Sequence, residues 1–413
     1  MLKFLKNTDV LIVVLVILLL GSSTNAQETT KLLSLEEAIE IAVENNHSVK
    51  LSELEIDISR ARVRDAKSNF YPQIESRIIV PFVERESGFF LDQLIWDFGR
   101  TLNLVKSTKF ELEASEYLYS QTLNDTIQNT AISYYSALIN KNRLNSAELS
   151  VEKNELILFK VNEQNKLGRS SNLDLTKAKS DSGKTKLELL KQKNEFEASK
   201  LELLDLIGAD FESEVTLKDD ENIDFKEYEA DKSLEKAVNN SPELKKLNAE
   251  QAARLANTKS AKSEFYPEIF GRTAYRFEGD GGEQFPAFIA GIGFRFPLFE
   301  GFARFARLDI RKAENRRALI QFVKTKKTIQ SDVKKLLMDL EFNKEKIEIT
   351  KINNSVARKN LDLIKERYNL GRASRIDLVD AELFYSESHS DYLEAIYNYK
   401  ITEAKLKSVV GEY

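Results

Sequence analysis

Leu167-Gly168-Arg169-Ser170-Ser171-Asn172-Leu173-Asp174-Leu175 returns 203 positions later as Leu370-Gly371-Arg372-Ala373-Ser374-Arg375-Ile376-Asp377-Leu378. Other markers recur in the same order. Asn69-Phe70-Tyr71-Pro72 is matched by Glu264-Phe265-Tyr266-Pro267, and Trp96-Asp97-Phe98-Gly99 by Leu298-Phe299-Glu300-Gly301. The half-ends Leu206-Ile207-Gly208 and Val409-Val410-Gly411 are again 203 apart. A period this long is a duplicated half-protein rather than a solenoid repeat, and it predicts a pseudo-symmetric fold.

The repeated stretch reads as a helical turn. Gly168 and Gly371 each end one helix, because glycine enters the left-handed region without steric cost. Ser171 and Ser374 each start the next, with Asp174 and Asp377 three residues on at capping-box spacing. The helices entering these turns are very long. Residues 99–167 and 301–370 hold no Pro and no internal Gly, and at 1.5 Å per residue each reaches roughly 100 Å. No domain of this size has a core that long, so such helices pack along one another as a coiled coil or tube. Ile127, Ala131, Tyr134, Tyr135 and Leu138 form one packing stripe, and Ile329, Val333, Leu336, Leu337 and Leu340 the other.

Before each long helix the pattern changes. Ser34-Leu35-Glu36-Glu37 opens a helix that runs, with a break near Asn45-Asn46-His47-Ser48, to Asn69. Ser233 opens its counterpart, and Ser241-Pro242 re-caps it. Phe-Tyr-Pro ends both. Strands are then predicted over Ile74 to Val83, Gly88 to Trp96, Ile269 to Phe277 and Ala287 to Phe296, with a polar hairpin loop at Glu278-Gly279-Asp280-Gly281-Gly282-Glu283. The second pair alternates between an apolar, aromatic face and a face of small or basic residues. A membrane barrel strand and a half-buried soluble hairpin fit that alternation equally. Four strands close no barrel of useful bore, so the barrel alternative requires several copies. The first pair is short, and Pro81 and Glu84-Arg85-Glu86 interrupt it, which predicts a tight outer loop. Each half is therefore helix–strand–strand–helix–helix, and the class is mainly α with a small β part. The expected divisions are a signal peptide at 1–26, a first repeat at 27–208, an acidic inter-repeat linker at 209–232 and a second repeat at 233–413.

The N-terminus sets the compartment. Lys3 and Lys6 precede an apolar run from Val10 to Leu20, and Thr24-Asn25-Ala26 fits a small-x-small cleavage site. The run is too short to span a bilayer, so it reads as a cleaved secretory signal. The chain has no Cys, which excludes disulfides, thiol-linked lipid and Cys-based metal sites. Its formal charge is −5, and −6 without Lys3, Lys6 and Asp9, which argues against a nucleic-acid partner. His47 and His389 stand far apart, so no histidine-based catalytic or metal site is expected. Ser182-Gly183-Lys184-Thr185 lacks the first glycine of a phosphate loop.

In this order, and duplicated, the pattern resembles the TolC-like outer-membrane factors, the outer-membrane efflux protein family, over essentially the whole mature chain. The markers are Ala42-Val43-Glu44-Asn45-Asn46-His47-Ser48 and Ala237-Val238-Asn239-Asn240-Ser241-Pro242, the two Phe-Tyr-Pro ends, Pro297-Leu298-Phe299-Glu300-Gly301, and the run from Tyr368 to Ala381. The resemblance implies an exit duct of a tripartite efflux pump or type I secretion system. It implies a homotrimer, with four strands per chain in one shared twelve-stranded barrel in outer-membrane lipid and the helices in a periplasmic tunnel. An inner-membrane transporter and a periplasmic adaptor (membrane fusion) protein would dock at the tips, Leu167, Gly168, Arg169 and Ser170 with Leu370, Gly371 and Arg372. It implies no enzyme activity and no cofactor.

In such ducts the tip is closed by links between helices and by rings of acids. By position Asp377 and Asp380 match the second-repeat acids, Asp174 the first-repeat acid and Tyr368 the tip tyrosine. The linking arginine falls at Ala373, flanked by Arg372 and Arg375, and Lys177 replaces an acid or amide. Capping alone accounts for Asp174 and Asp377, and capping and gating are compatible. Asp380 lies one turn beyond the reach of a cap. Arg169 and Arg372 are read first as complements of the preceding helix C-termini and second as adaptor contacts. A periplasmic adaptor and a structural coiled coil remain as alternative functions, although neither explains two strand pairs.

Overall fold

The computed structural model describes residues 31–78, 87–212, 215–219, 221–276 and 288–412. The signal segment, the loop at 278–283, and Pro81 with Glu84-Arg85-Glu86 lie outside these residues. The first repeat comprises β1 (Lys31–Leu33), α1 (Leu35–Asn45), α2 (His47–Ser68), β2 (Gln73–Arg77), β3 (Gly88–Trp96), α3 (Arg100–Lys166) and α4 (Asn172–Leu206). After β4 (Val215–Leu217), the second comprises α5 (Ala230–Asn240), α6 (Pro242–Ser263), β5 (Glu268–Arg276), β6 (Phe288–Arg295), α7 (Ala303–Asn369) and α8 (Arg375–Val410). The long helices α3 and α7 are 67 residues each.

The caps fix these boundaries. Ser34 and Glu37 form the expected capping box on α1. The break after α1 is itself a cap: the Asn46 Oδ1 accepts from the Ser48 N–H at 2.8 Å, while its Nδ2 donates to the Leu206 carbonyl at 2.8 Å and ties α2 to the end of α4. One expectation is corrected. Ser233 does not open α5, because Glu229 is its N-cap and Ser233 is buried inside the first turns. The acidic charge of Glu229 and Asp231 suits that helix start electrostatically. Ser241 does cap α6, accepting from the Leu244 N–H.

The strands make one antiparallel sheet in the order β2-β3-β5-β6, and β3 and β5 join the two repeats at its centre. Observed β2 is shorter than expected, and the far ends of the predicted strand pairs fall outside the described residues. The pleat separates two faces. Ile74, Phe89, Tyr275, Phe288, Ile292 and Phe294 share one face and are exposed, Ile292 and Phe294 at 79%. The opposite face carries Glu75, Arg77, Asp92, Arg272, Arg276 and Arg295. Strand gives way to helix through two successive left-handed residues in each repeat, Phe98-Gly99 and Gly301-Phe302. Asp97 steadies the first joint by accepting from the Gly99 and Thr101 N–H groups at 3.1 and 2.6 Å.

A buried core sits midway along the long helices. Tyr134, Leu138, Val333, Ile396, Tyr397, Leu203 and Leu204 are among its most enclosed members. Beside it β1 and β4 pair in parallel, a contact the sequence did not foretell. The Tyr134 hydroxyl lies 2.9 Å from the Leu33 carbonyl and 2.7 Å from that of Lys218, and so clasps the end of this ribbon to α3.

The helix contacts are unequal between the repeats. α3 packs on α1, α2 and α4 of its own repeat and on α6 and α8 of the other. Its counterpart α7 packs on α6, α8 and α5, all of its own repeat. What α7 lacks shows on its surface. Phe342, Ile349, Val356 and Leu363 recur every seven residues, are all more than half exposed, and are joined by Met338 and Ile352. That is an open coiled-coil seam. α4 exposes Leu173, Leu187, Leu190 and Leu201 in the same way. Among the described residues no helix is long and apolar enough to cross a membrane.

Replacing Tyr134 with Phe removes the clasp while Leu33 keeps its bond from the Lys218 N–H. The expected loss is about 1 kcal/mol, visible as faster amide exchange at residues 215–218 with the hairpin tips unaffected.

Candidate functional site

The two tips are built alike because their sequences are alike. At the first, the Gly168 and Arg169 N–H groups donate to the carbonyls of Asn165 and Gln164 at 2.9 and 2.8 Å. At the second, Gly371 and Arg372 donate to Tyr368 and Arg367 at 2.9 and 2.7 Å. Both glycines have φ +70°, which a side chain would strain. Ser171 and Asp174 then cap α4 reciprocally, and Ser374 and Asp377 cap α8. The turns leave Leu167, Leu173 and Leu370 exposed, with Arg169 and Arg372 beside them and in no ion pair among the described residues.

Hydrogen bonds from the Ser171 hydroxyl and N–H hold the Asp174 carboxyl below the usual aspartate value of 3.8. The Ser374 N–H and hydroxyl do the same for Asp377. A lowered folded pKa means these caps contribute fully at neutral pH and are lost only as pH falls through the folded values.

The candidate residues do not all converge. A cleft of about 560 Å³ brings together Arg372, Asp377 and Asp380 with Lys153, Arg367 and Glu387. Asp174 lies at the other tip, and Tyr368 and Arg375 lie outside the cleft lining. Arg375 instead binds Glu152 of α3 at 2.6 Å. Asp380 pairs with Lys153, one residue along the same helix. Arg143 of α3 reaches Glu394 at 2.8 Å. Three charge pairs therefore lace α8 to α3, each with one partner in either repeat. Sequence reading missed Glu152, Lys153 and Glu387, since their importance follows from which helices touch. No local motif marks them.

Glu387 sits inward of Asp380 along α8. Burial pushes its carboxyl up from the usual 4.5, Asp391 and Asp380 add to the rise, and Lys153 opposes it. A carboxyl raised in the folded state weakens the fold where it is ionised, and the deficit disappears once it is protonated. Glu387→Gln is therefore expected to raise the thermal midpoint at pH 7.5 and to match the parent below about pH 4. For the caps, Ser374→Ala should cost about 1 kcal/mol locally, seen as roughly fivefold faster amide exchange in the first turn of α8.

With the architecture in hand, comparison with known proteins is direct. The family model for the outer membrane efflux protein matches residues 233–412. No curated protein matches the sequence. Among solved structures, the chain is similar to the Campylobacter jejuni CmeC outer membrane channel, with a TM-score of 0.74 and 16% identity over 91% of this chain and 85% of that one. It is similar to the outer membrane protein VceC from Vibrio cholerae, with a TM-score of 0.68 and 15% identity over 91% of this chain and 96% of that one. The open state of the Neisseria gonorrhoeae MtrE outer membrane channel gives a TM-score of 0.66 and 16% identity over 91% and 88%. Residues 233–412 thus match the outer membrane efflux protein family model, and the chain as a whole, first repeat included, carries the fold of the outer-membrane channels.

Proposed function

We propose that this chain is one subunit of a homotrimeric outer-membrane exit duct, which passes solutes from the periplasm or an inner-membrane transporter to the exterior. The observation that carries this reading is the unfilled half of its pseudo-symmetry. Within the chain, the second repeat covers α3 with α6 and α8 and covers the free side of β3 with β5. The equivalent sites on α7 and on β6 are open. The first repeat of another copy offers the matching parts: α2, α4 with its exposed leucines, and the edge strand β2. Repeating that contact builds a ring with no free sheet edge, which is the form a sheet must take in lipid.

The sheet has the dimensions for this. β3 and β5 are nine residues each, and a tilted strand needs about 9–11 to cross a bilayer. The apolar face then meets lipid and the charged face lines the bore. The helices continue the bore into the periplasm, where the exposed Leu and Arg of the tips face a periplasmic adaptor and its inner-membrane transporter. Residues 1–26 direct export as a cleaved signal. Solutes pass through, and no bond chemistry is assigned to the chain. Drug or metal efflux and type I secretion are both served by such a duct.

We also read the α8 tip as the gate. Asp380 and Asp377 stand in the cleft between α7, α8 and α3, and a ring of carboxylates from each copy favours cations at a constriction. The Lys153–Asp380 and Arg375–Glu152 pairs hold α8 against α3 and so hold the ring narrow.

Two measurements test this. Detergent extraction of the outer-membrane fraction followed by native mass determination is expected to give a trimer of the mature chain, whereas a soluble periplasmic monomer would overturn the duct. In planar bilayers, Asp377→Ala with Asp380→Ala is expected to weaken cation preference, and Lys153→Ala with Arg375→Ala to raise conductance. Unchanged values in both would remove the gate assignment.

A further inference from the structure

The charged face of the sheet is not uniform along its length. Strand register sorts its side chains into rows across the sheet. Nearest the helices, Glu268 lies opposite Arg295 and also binds Arg100 at 2.8 Å. Further out, Asp92 and Arg272 face each other and pair through two bonds of 2.6 and 3.0 Å. Between them Phe270 lies over Gly293, where an added Cβ would stand 2.7 Å from its ring, and Arg272 and Arg295 cover that ring at 5.5 and 5.2 Å. Acid and base balance in these rows.

The outermost described row is different. Arg77 of β2, Gly88 of β3 and Arg276 of β5 stand side by side. This row holds two arginines, no acid, and at its centre a residue with no side chain. Gly88 has to be bare, since a Cβ there would come 2.3 Å from the Tyr275 carbonyl oxygen. Arg77 lies over the Phe90 ring at 5.2 Å, and among the described residues its ion pair is with Glu75, an exposed one at 3.2 Å on its own strand. Arg276 is in no ion pair among the described residues, and its buried Nε has no hydrogen-bond partner. An arginine that has no acid beside it in its row among the described residues is suited to an anionic partner from outside the chain.

We propose that Arg77 and Arg276 form an anion-receiving ring on the outer inner wall of the barrel, opposite in charge to the carboxylates at the hairpin tips. This rests on the duct reading above, which turns the charged face toward the bore and repeats the row in every copy. A solute moving outward through the duct meets the carboxylates at the tips before it reaches these guanidinium groups. The ring recognises carboxylate, phosphate or sulfonate groups, so the duct suits solutes that carry an anionic group, alone or beside a cationic one. An arginine is also a stable choice at this place, because it keeps its charge at any pH the outer membrane meets.

The test is the reversal potential of the full-length mature protein in planar bilayers, under a KCl gradient kept at low ionic strength so that wall charges are weakly screened. Arg77→Gln with Arg276→Gln is expected to raise the potassium-to-chloride permeability ratio on the order of twofold or more. Arg276→Lys is expected to keep the parent ratio, and Glu75→Gln to lower it. Wild-type and double-variant channels that conduct with the same ratio would overturn the arginine ring while leaving the duct intact. A wild-type protein that forms no conducting channel would overturn both.

Discussion

A sheet edge in hydrocarbon has no water to satisfy its N–H and C=O groups, and each unpaired group costs several kcal/mol. The sheet of this chain ends in two edges, β2 and β6, which the proposed duct places in lipid. Everything else in the fold is arranged around that deficit. Four strands are too few to curl onto themselves, so in the proposed duct the missing partner comes from another copy. The duplication provides it, because the contact that joins the repeats inside one chain, β3 on β5, is available again as β6 on β2. The helices repeat the same relation, with α7 lacking the two neighbours that α3 has. One interface used twice, within and between chains, is an economical route to a closed tube.

The proposed tube is held differently along its length. Midway, the aromatic core around Tyr134, Tyr135 and Tyr397 and the short β1–β4 ribbon lock the repeats together by burial. Toward the tips apolar burial thins out, leaving a small cluster of Leu361, Leu378 and Ala381. There α8 is laced to α3 by exposed ion pairs instead. Exposed pairs are worth little individually and are screened by salt. A weakly held end on a firmly held middle suits the gate proposed at the tip, which opens while the barrel stays closed.

Much of this was legible in the sequence because it is local. Gly168 and Gly371, the Ser–Asp boxes at 171–174 and 374–377, and the Pro after each Phe-Tyr act within a few residues, and each boundary they predict is observed. The alternation of β5 and β6 gave the two faces correctly, with Arg272 and Gly291 paired on one and Thr273 and Ala290 on the other. What was not legible is non-local. β1 and β4 are three residues each, too short to show a period, and they exist because residues far apart in the chain meet. Ser233 read as a cap because serine often is one, yet its place in the folded helix is decided by the packing of α5 on α7 and α8. The open seam of Phe342, Ile349, Val356 and Leu363 has a seven-residue period in plain view. It becomes meaningful only when the remaining sides of α7 are seen to be occupied. Lys153 and Glu152 gained roles only once α3 and α8 were found side by side.

The proposed duct stands on β6 of one copy pairing with β2 of the next, and one measurement reaches that directly. The chain has no cysteine, so two introduced thiols react only with each other. Ser76→Cys in β2 is combined in turn with Ala290→Cys, Ile292→Cys or Phe294→Cys in β6, all on the lipid-facing side, and oxidised in the outer membrane. The account predicts that one register cross-links between chains and that the covalent ladder ends at three. No inter-chain product in any register, or a ladder that runs past three, would contradict it.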